Sequence, residues 1–196
     1  KIIEALLEVK KEGLSEGKLL TALGTKKKDR KRVLGVVQAL EKSGIIYFSK
    51  GKYVLKGAKR YFKGTVVKLA RSHGFIRNDG NGEELFVRGK DMLGAVPGDI
   101  VLARVTEFKD ETHNSDTAEV VLVEKETEGV LTGTIVEENG KLKLRPDSFV
   151  SDPLTIIRRG GNEIKSGDKV KFTIHDRAER HSDITVDIAS VYGSSG

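Results

Sequence analysis

"RSHGFIRNDGNGEELFVRG", residues 71–89, is the stretch on which the fold turns. Two short apolar runs flank a turn-forming cluster, Asn78-Asp79-Gly80-Asn81-Gly82, the pattern of a β-hairpin. Side chains alternate between the two faces of a strand. In the first run Gly74 and Ile76 share one face, and His73, Phe75 and Arg77 share the other. In the second, Leu85 and Val87 oppose Glu84, Phe86 and Arg88. The aliphatic set is enough for the core of a small barrel. The remaining set, two phenyl rings, an imidazole and two guanidiniums, then points outward, although burial does not require it there.

Aromatics make up only 6% of the chain and Trp is absent, so an outward pair of rings is informative. Such a patch suits single-stranded nucleic acid. Every base has a π-face, and stacking on Phe is worth about 1–3 kcal/mol per base whatever the sequence. Arginine heads meet phosphates or stack through their planes. Gly74 is expected to let a backbone or base come close. The candidate RNA-binding residues here are His73, Phe75, Arg77, Phe86 and Arg88.

The hairpin lies in a region, residues 60–192, that is almost entirely β in pattern and that repeats. Gly64–Val67 (GTVV) is followed by Gly98–Val101 (GDIV), and Gly133–Val136 (GTIV) by Gly167–Val170 (GDKV); both spacings are 34 residues. Two β-domains of one plan are therefore expected, at 60–125 and 126–192. Strand-like runs in the first are Phe62–Lys68, Gly74–Arg77, Glu84–Arg88, Asp99–Val105 and Ala118–Val123. Five short strands in about 65 residues suit a small closed barrel of OB-fold type. Residues 110–118 read as a polar surface loop.

The offset between the copies is 69 residues, which would align His73 and Phe75 with Leu142 and Leu144 and turn Lys141, Lys143 and Arg145 into the core. Unpaired charges there are very costly. A slip of one residue is expected instead, so that Lys141, Lys143 and Arg145 stand where His73, Phe75 and Arg77 stand, with Thr155 opposite in place of Phe86. The second barrel then offers phosphates a charged surface rather than bases a platform.

Residues 1–59 hold 15 Lys/Arg against 6 Asp/Glu, while residues 60–196 hold 20 against 23, so the chain's net charge of +6 comes wholly from the first segment. A localised basic balance is the footprint of a polyanion partner. Ile2, Ile3, Leu6, Leu7 and Val9 recur at helical spacing up to Gly13. Ser15 can cap a second helix with Leu19, Leu20 and Leu23, and Thr25 a third with Val33, Val37 and Leu40. Ile45–Leu55 then reads as a hairpin around Ser-Lys-Gly-Lys. Three helices and a hairpin are the order of a winged helix-turn-helix. The third helix is expected to open on Lys26, Lys27, Lys28, Arg30, Lys31 and Arg32, against the helix dipole. Phosphate binding explains such a choice, and Lys50 and Lys52 at the hairpin tip add to it. The fold class expected is mostly β with an α+β N-terminal domain: a winged helix, then two tandem OB-fold barrels.

The same residues resemble a known family. "RSHGFI" resembles the first ribonucleoprotein motif of cold-shock domains, with His73 in place of an aromatic. "LFVRG" resembles the second, with Arg88 in place of a histidine. "GAVPGDIVLARV", residues 94–105, resembles the usual approach to the fourth strand. Winged helix and two cold-shock domains, in that order, resemble the N-terminal part of the bacterial ribonuclease II family of 3′-to-5′ exoribonucleases. The likeness is strongest from Phe62 to Val105. It implies single-stranded and structured RNA as partners. It also implies a following nuclease domain whose aspartates hold Mg²⁺, so that this chain, ending at Ser194-Ser195-Gly196, is expected to be a fragment.

No catalytic residue is expected in the chain itself. His175, Asp176 and His181 offer no ligand geometry, residues 160–168 lack phosphate-loop spacing, and Glu137 and Glu138 face opposite ways. No cofactor is expected here. There is no Cys, which excludes disulfides and fits a reducing cytoplasm, and no run approaches the roughly 18 apolar residues of a membrane helix. A monomer is the expected state. Two rival readings are a DNA-binding transcription regulator with an OB-type module and a stand-alone RNA chaperone of cold-shock type.

Overall fold

The structure is a computed structural model that describes residues 1–109, 114–180 and 183–194. Part of the expected polar loop, residues 110–113, lies outside the described residues, as do His181 and the last two residues. The chain separates into two compact units, Lys1–Tyr61 and Phe62–Gly196.

In the first unit three helices, α1 (Ile2–Glu8), α2 (Glu16–Ala22) and α3 (Arg30–Lys42), precede the hairpin of β1 (Ile46–Ser49) and β2 (Lys52–Leu55). Leu6, Leu19, Val37, Ile46 and Leu55 form its core. Ser15 caps α2 as expected, accepting from the Lys18 N–H. Two expectations are corrected. The helical run through Val9 breaks at Glu8 and continues to Gly13 only as a 3-10 turn. Thr25 caps nothing: its hydroxyl is buried without a hydrogen-bond partner, Lys27–Asp29 form a 3-10 turn, and α3 starts at Arg30. Without a capping acceptor the lysine run does not enter the α-helix. The conflict with the dipole is confined to Arg30, Lys31 and Arg32.

The second unit holds two closed barrels. The first has strand order β3-β4-β5-β7-β6 and the second β8-β9-β10-β12-β11 read from β8, the same circuit twice. The first comprises β3 (Tyr61–Leu69), β4 (His73–Asn78), β5 (Glu84–Arg88), β6 (Ile100–Glu107) and β7 (Thr117–Lys125). The second comprises β8 (Leu131–Glu138), β9 (Lys141–Pro146), β10 (Leu154–Arg158), β11 (Asp168–Asp176) and β12 (Thr185–Ser194). Five strands in this order are an OB-fold.

The sequence repeat is a repeated piece of hardware. A Cβ on Gly64 would lie 2.6 Å from the Arg77 carbonyl oxygen, and one on Gly133 would lie 2.6 Å from that of Arg145. Gly98 and Gly167 both take positive φ, and their N–H groups donate to Val66 and Ile135 respectively. One continuous apolar cluster, from Val66 to Ile188, fills both barrels.

Candidate nucleic-acid interface

The β4–β5 hairpin has the expected phase. Gly74, Ile76, Leu85 and Val87 are buried, and Arg77, Glu84 and Arg88 are exposed. Phe75 pairs with Phe86 across the ladder, His73 with Arg88, and Arg77 with Glu84. His73, Phe75 and Phe86 are half-buried because they pack on one another. His73 lies 5.3 Å from Phe86 in a stacked arrangement and 5.5 Å from Phe75 edge-on. Phe75 and Phe86 meet edge to face at 5.9 Å. Offset and edge-on pairs of this kind are favoured aromatic geometries and hold the rings in place.

The guanidiniums stand at either end of this cluster, each beside a carboxylate: Arg77 2.8 Å from Glu84 and Arg88 3.2 Å from Glu107. Exposed ion pairs are worth about 0–1 kcal/mol, so a phosphate can exchange with either carboxylate at little loss. Gly74 does not serve base approach. It faces inward, where a Cβ would lie 2.9 Å from both Met92 Sδ and the Lys68 carbonyl oxygen. The core, not a ligand, excludes a side chain there.

One residue at the patch and one exposed ring just beyond β6 escaped the sequence reading. Lys68 pairs directly with Phe75 and is exposed. Strict alternation from Gly64 would bury it, but the register shifts between Val66 and Lys68, and such a bulge turns the following side chains over. Phe108, one residue beyond Glu107, is 57% exposed. A ring between Glu107 and Lys109 beside a polar loop was a signal that could have found it.

In the second barrel the slip of one residue is present. Thr65 pairs with Arg77 and Thr134 with Arg145, while Thr155 pairs with Lys143 as Phe86 does with Phe75. Leu144 is buried, Lys141 and Arg145 are exposed, and Lys143 is 2.6 Å from Glu138. Lys141, Lys143, Thr155 and Arg159 ring a concavity of about 820 Å³ floored by Leu142 and Ile156. Arg159 was not foreseen. Between the barrels a groove of about 550 Å³ brings Lys68 and Arg71 together with Arg145.

In the first unit Lys27, Arg30 and Lys31 line one shallow groove with Leu34 and Gln38, whereas Lys26 and Lys28 line another with Arg32 and Val36. Arg30 is tied to Glu16 at 2.6 Å. Lys50 occupies the turn of the β1–β2 hairpin and Lys52 opens β2. The expected cations therefore form separate groups, not one row. His175 hydrogen-bonds Asp187 at 2.9 Å. Among the described residues no three His, Asp or Glu side chains converge as a metal would need, so the Mg²⁺ implied by the family resemblance finds no fitting ligand set among them. No helix among them is long and apolar enough to cross a membrane.

Residues 64–123 match the Ribonuclease B OB domain family. Over 190 residues the chain is 27% identical to ribonuclease R of Aquifex aeolicus, covering 96% of this chain and 26% of that one. It is 28% identical over 107 residues to ribonuclease R of Buchnera aphidicola subsp. Acyrthosiphon pisum, covering 54% of this chain and 15% of that one. The chain thus spans about a quarter, or less, of the length of these relatives. Two solved structures share the fold. Mycoplasma genitalium RNase R in complex with ribose methylated single-stranded RNA has a TM-score of 0.50 at 20% identity, over 68% of this chain and 22% of that one. Yeast Ssd1, a pseudonuclease, has a TM-score of 0.54 at 13% identity, over 81% and 24%.

Proposed function

We infer that this chain, which is similar to the N-terminal region of ribonuclease R and includes a ribonuclease B OB domain, captures RNA and guides its 3′ end to a nuclease region outside the chain. The observation behind the reading is the cluster of His73, Phe75 and Phe86 on the outward face of the first barrel, flanked by Arg77, Arg88 and Lys68. Stacked bases gain about 1–3 kcal/mol each on such rings, and the cations meet the phosphates between them. The RNA bound by the Mycoplasma ribonuclease R is single-stranded, which fits this use of the same fold. Lys141, Lys143 and Arg145 continue the track as phosphate contacts without stacking. The winged unit, 1–59, holds structured RNA through Lys26, Lys27, Lys28, Arg30, Lys31, Lys50 and Lys52, while 60–125 and 126–192 act as the two single-strand modules. The setting is the cytoplasm and the working state a monomer. Mg²⁺ and hydrolysis belong to the nuclease region, and no step of that chemistry falls to residues of this chain.

Fluorescence anisotropy with a labelled single-stranded oligoribonucleotide tests the reading. Phe75→Ala and Phe86→Ala should each weaken binding by about 1–3 kcal/mol, that is by factors of about 5 to 150. Unchanged affinity in variants that melt like the parent chain would refute it.

A further inference from the structure

We propose that the β1–β2 hairpin is a base-stacking wing, in which Phe48 takes the open face of the terminal base pair at the end of an RNA duplex. This rests on the RNA role proposed for the winged unit. It adds the side chain that meets a base and the feature of the RNA that is selected.

Ile46 and Leu55 pair across the hairpin and are both buried. Alternation puts Phe48 and Tyr53, also paired, on the same face one step closer to the tip. The core ends before it reaches them: Phe48 is 52% exposed, with its ring 4.9 Å from that of Tyr53. On the opposite face Tyr47 is 48% exposed. Three of the chain's eleven Phe and Tyr residues thus sit in one short hairpin, two of them largely open to solvent.

The platform is rigid. Lys50 and Gly51 both take positive φ in a two-residue turn, the geometry that matches strand twist. On its other edge Tyr53 exchanges backbone hydrogen bonds with Leu14 at 2.8 and 2.9 Å. Burial, then Glu16 and Glu41, push the Tyr53 phenol above its ordinary pKa. Glu16 is itself paired with Arg30.

Charge identifies the ligand class. Lys50 lies in the turn beyond Phe48, while Lys52 pairs with Ser49 and so projects from the opposite face, in a segment with 15 Lys/Arg against 6 Asp/Glu. An exposed ring near the tip of a strongly basic segment suits a base with phosphates close by. Inside an A-form duplex the deep, narrow major groove keeps side chains from the bases, and stacking covers every base face except at a terminus.

The test compares a blunt-ended RNA duplex with the same duplex closed at both ends by loops, each titrated with the whole chain. The blunt duplex should bind about 5- to 150-fold more tightly. Phe48→Leu, which keeps apolar bulk and so keeps the fold, should remove that preference, Phe48→Trp should restore it, and 2-aminopurine in the terminal pair should report stacking only with the parent and the Trp variant. Equal affinity for both duplexes, or a Leu variant that behaves as the parent, overturns the proposal. If those nulls occur while neutralising Lys27, Arg30 and Lys31 still weakens both duplexes, the stacking inference falls and the winged unit's RNA role stands. If the chain binds neither duplex, both fall.

Discussion

Gly64 and Gly133 show how little space separates the strands that support the candidate RNA surface. A methyl group at either position would sit 2.6 Å from a carbonyl oxygen, that of Arg77 or of Arg145. Neither oxygen can move without moving β4 or β9. Gly64→Ala and Gly133→Ala should each lower stability by about 1–3 kcal/mol, read as a shift in urea midpoint. Gly64→Ala should also weaken single-strand binding, because Arg77 stands in the same strand as His73 and Phe75. A neutral midpoint for both variants would show that the strands have slack there. At this scale the sequence was readable wherever strict alternation held, as at Ile76, Leu85 and Phe86. It was silent on Lys68, where a bulge reverses the phase, and it misled at Gly74, whose reason is Met92 in the core rather than a base outside it.

Among the elements, the β9–β10 hairpin was legible although it departs from its counterpart. Burying Lys141, Lys143 and Arg145 is so unfavourable that only a slipped register was possible, and the pairing of Thr134 with Arg145 has that register. The start of α3 was harder to read because helix starts depend on hydrogen bonds that hydrophobic spacing does not report. A threonine followed by three lysines looked like a cap, yet Thr25 points into a buried place and a 3-10 turn intervenes. Lys27, Arg30 and Lys31 share one of the two grooves on α3. If they meet phosphates, each neutralisation removes about one counterion-release event, and the log–log salt slope of duplex binding should flatten by roughly 0.9 for each phosphate left unneutralised. The Arg30 share should be the smallest, because Glu16 already engages that guanidinium. Glutamine at all three positions with an unaltered slope would remove α3 from the interface.

Across the second unit the decisive contact joins residues 78 apart in sequence, and no local pattern announces it. Asp99 is fully buried and accepts from the N–H groups of Val96 and Thr127. Arg177, from the loop after β11, reaches it at 2.7 Å and also donates to the Gly94 carbonyl at 2.9 Å. With the Leu69–Val150 backbone bond and the Arg71–Asp152 pair, this locks one barrel against the other. The repeat places Asp168 where Asp99 stands, 69 residues on, and its carboxylate accepts from the Lys165 N–H as Asp99 does from Val96. The copies therefore share the turn, and the clasp is an addition made only to the first. Removing one partner of a buried ion pair leaves an uncompensated charge, which costs about 3–5 kcal/mol. Arg177→Ala should fall at the low end of that range because two N–H groups still serve Asp99. Asp99→Asn in the Arg177→Ala background should then cost much less than it does alone, a coupling read from a double-mutant cycle in urea. Strictly additive losses would show that the arginine acts only through packing. The barrels would then be joined by their shared apolar cluster, the Leu69–Val150 backbone bond and the exposed Arg71–Asp152 pair, and no buried ion pair would fix the width of the groove holding Lys68, Arg71 and Arg145.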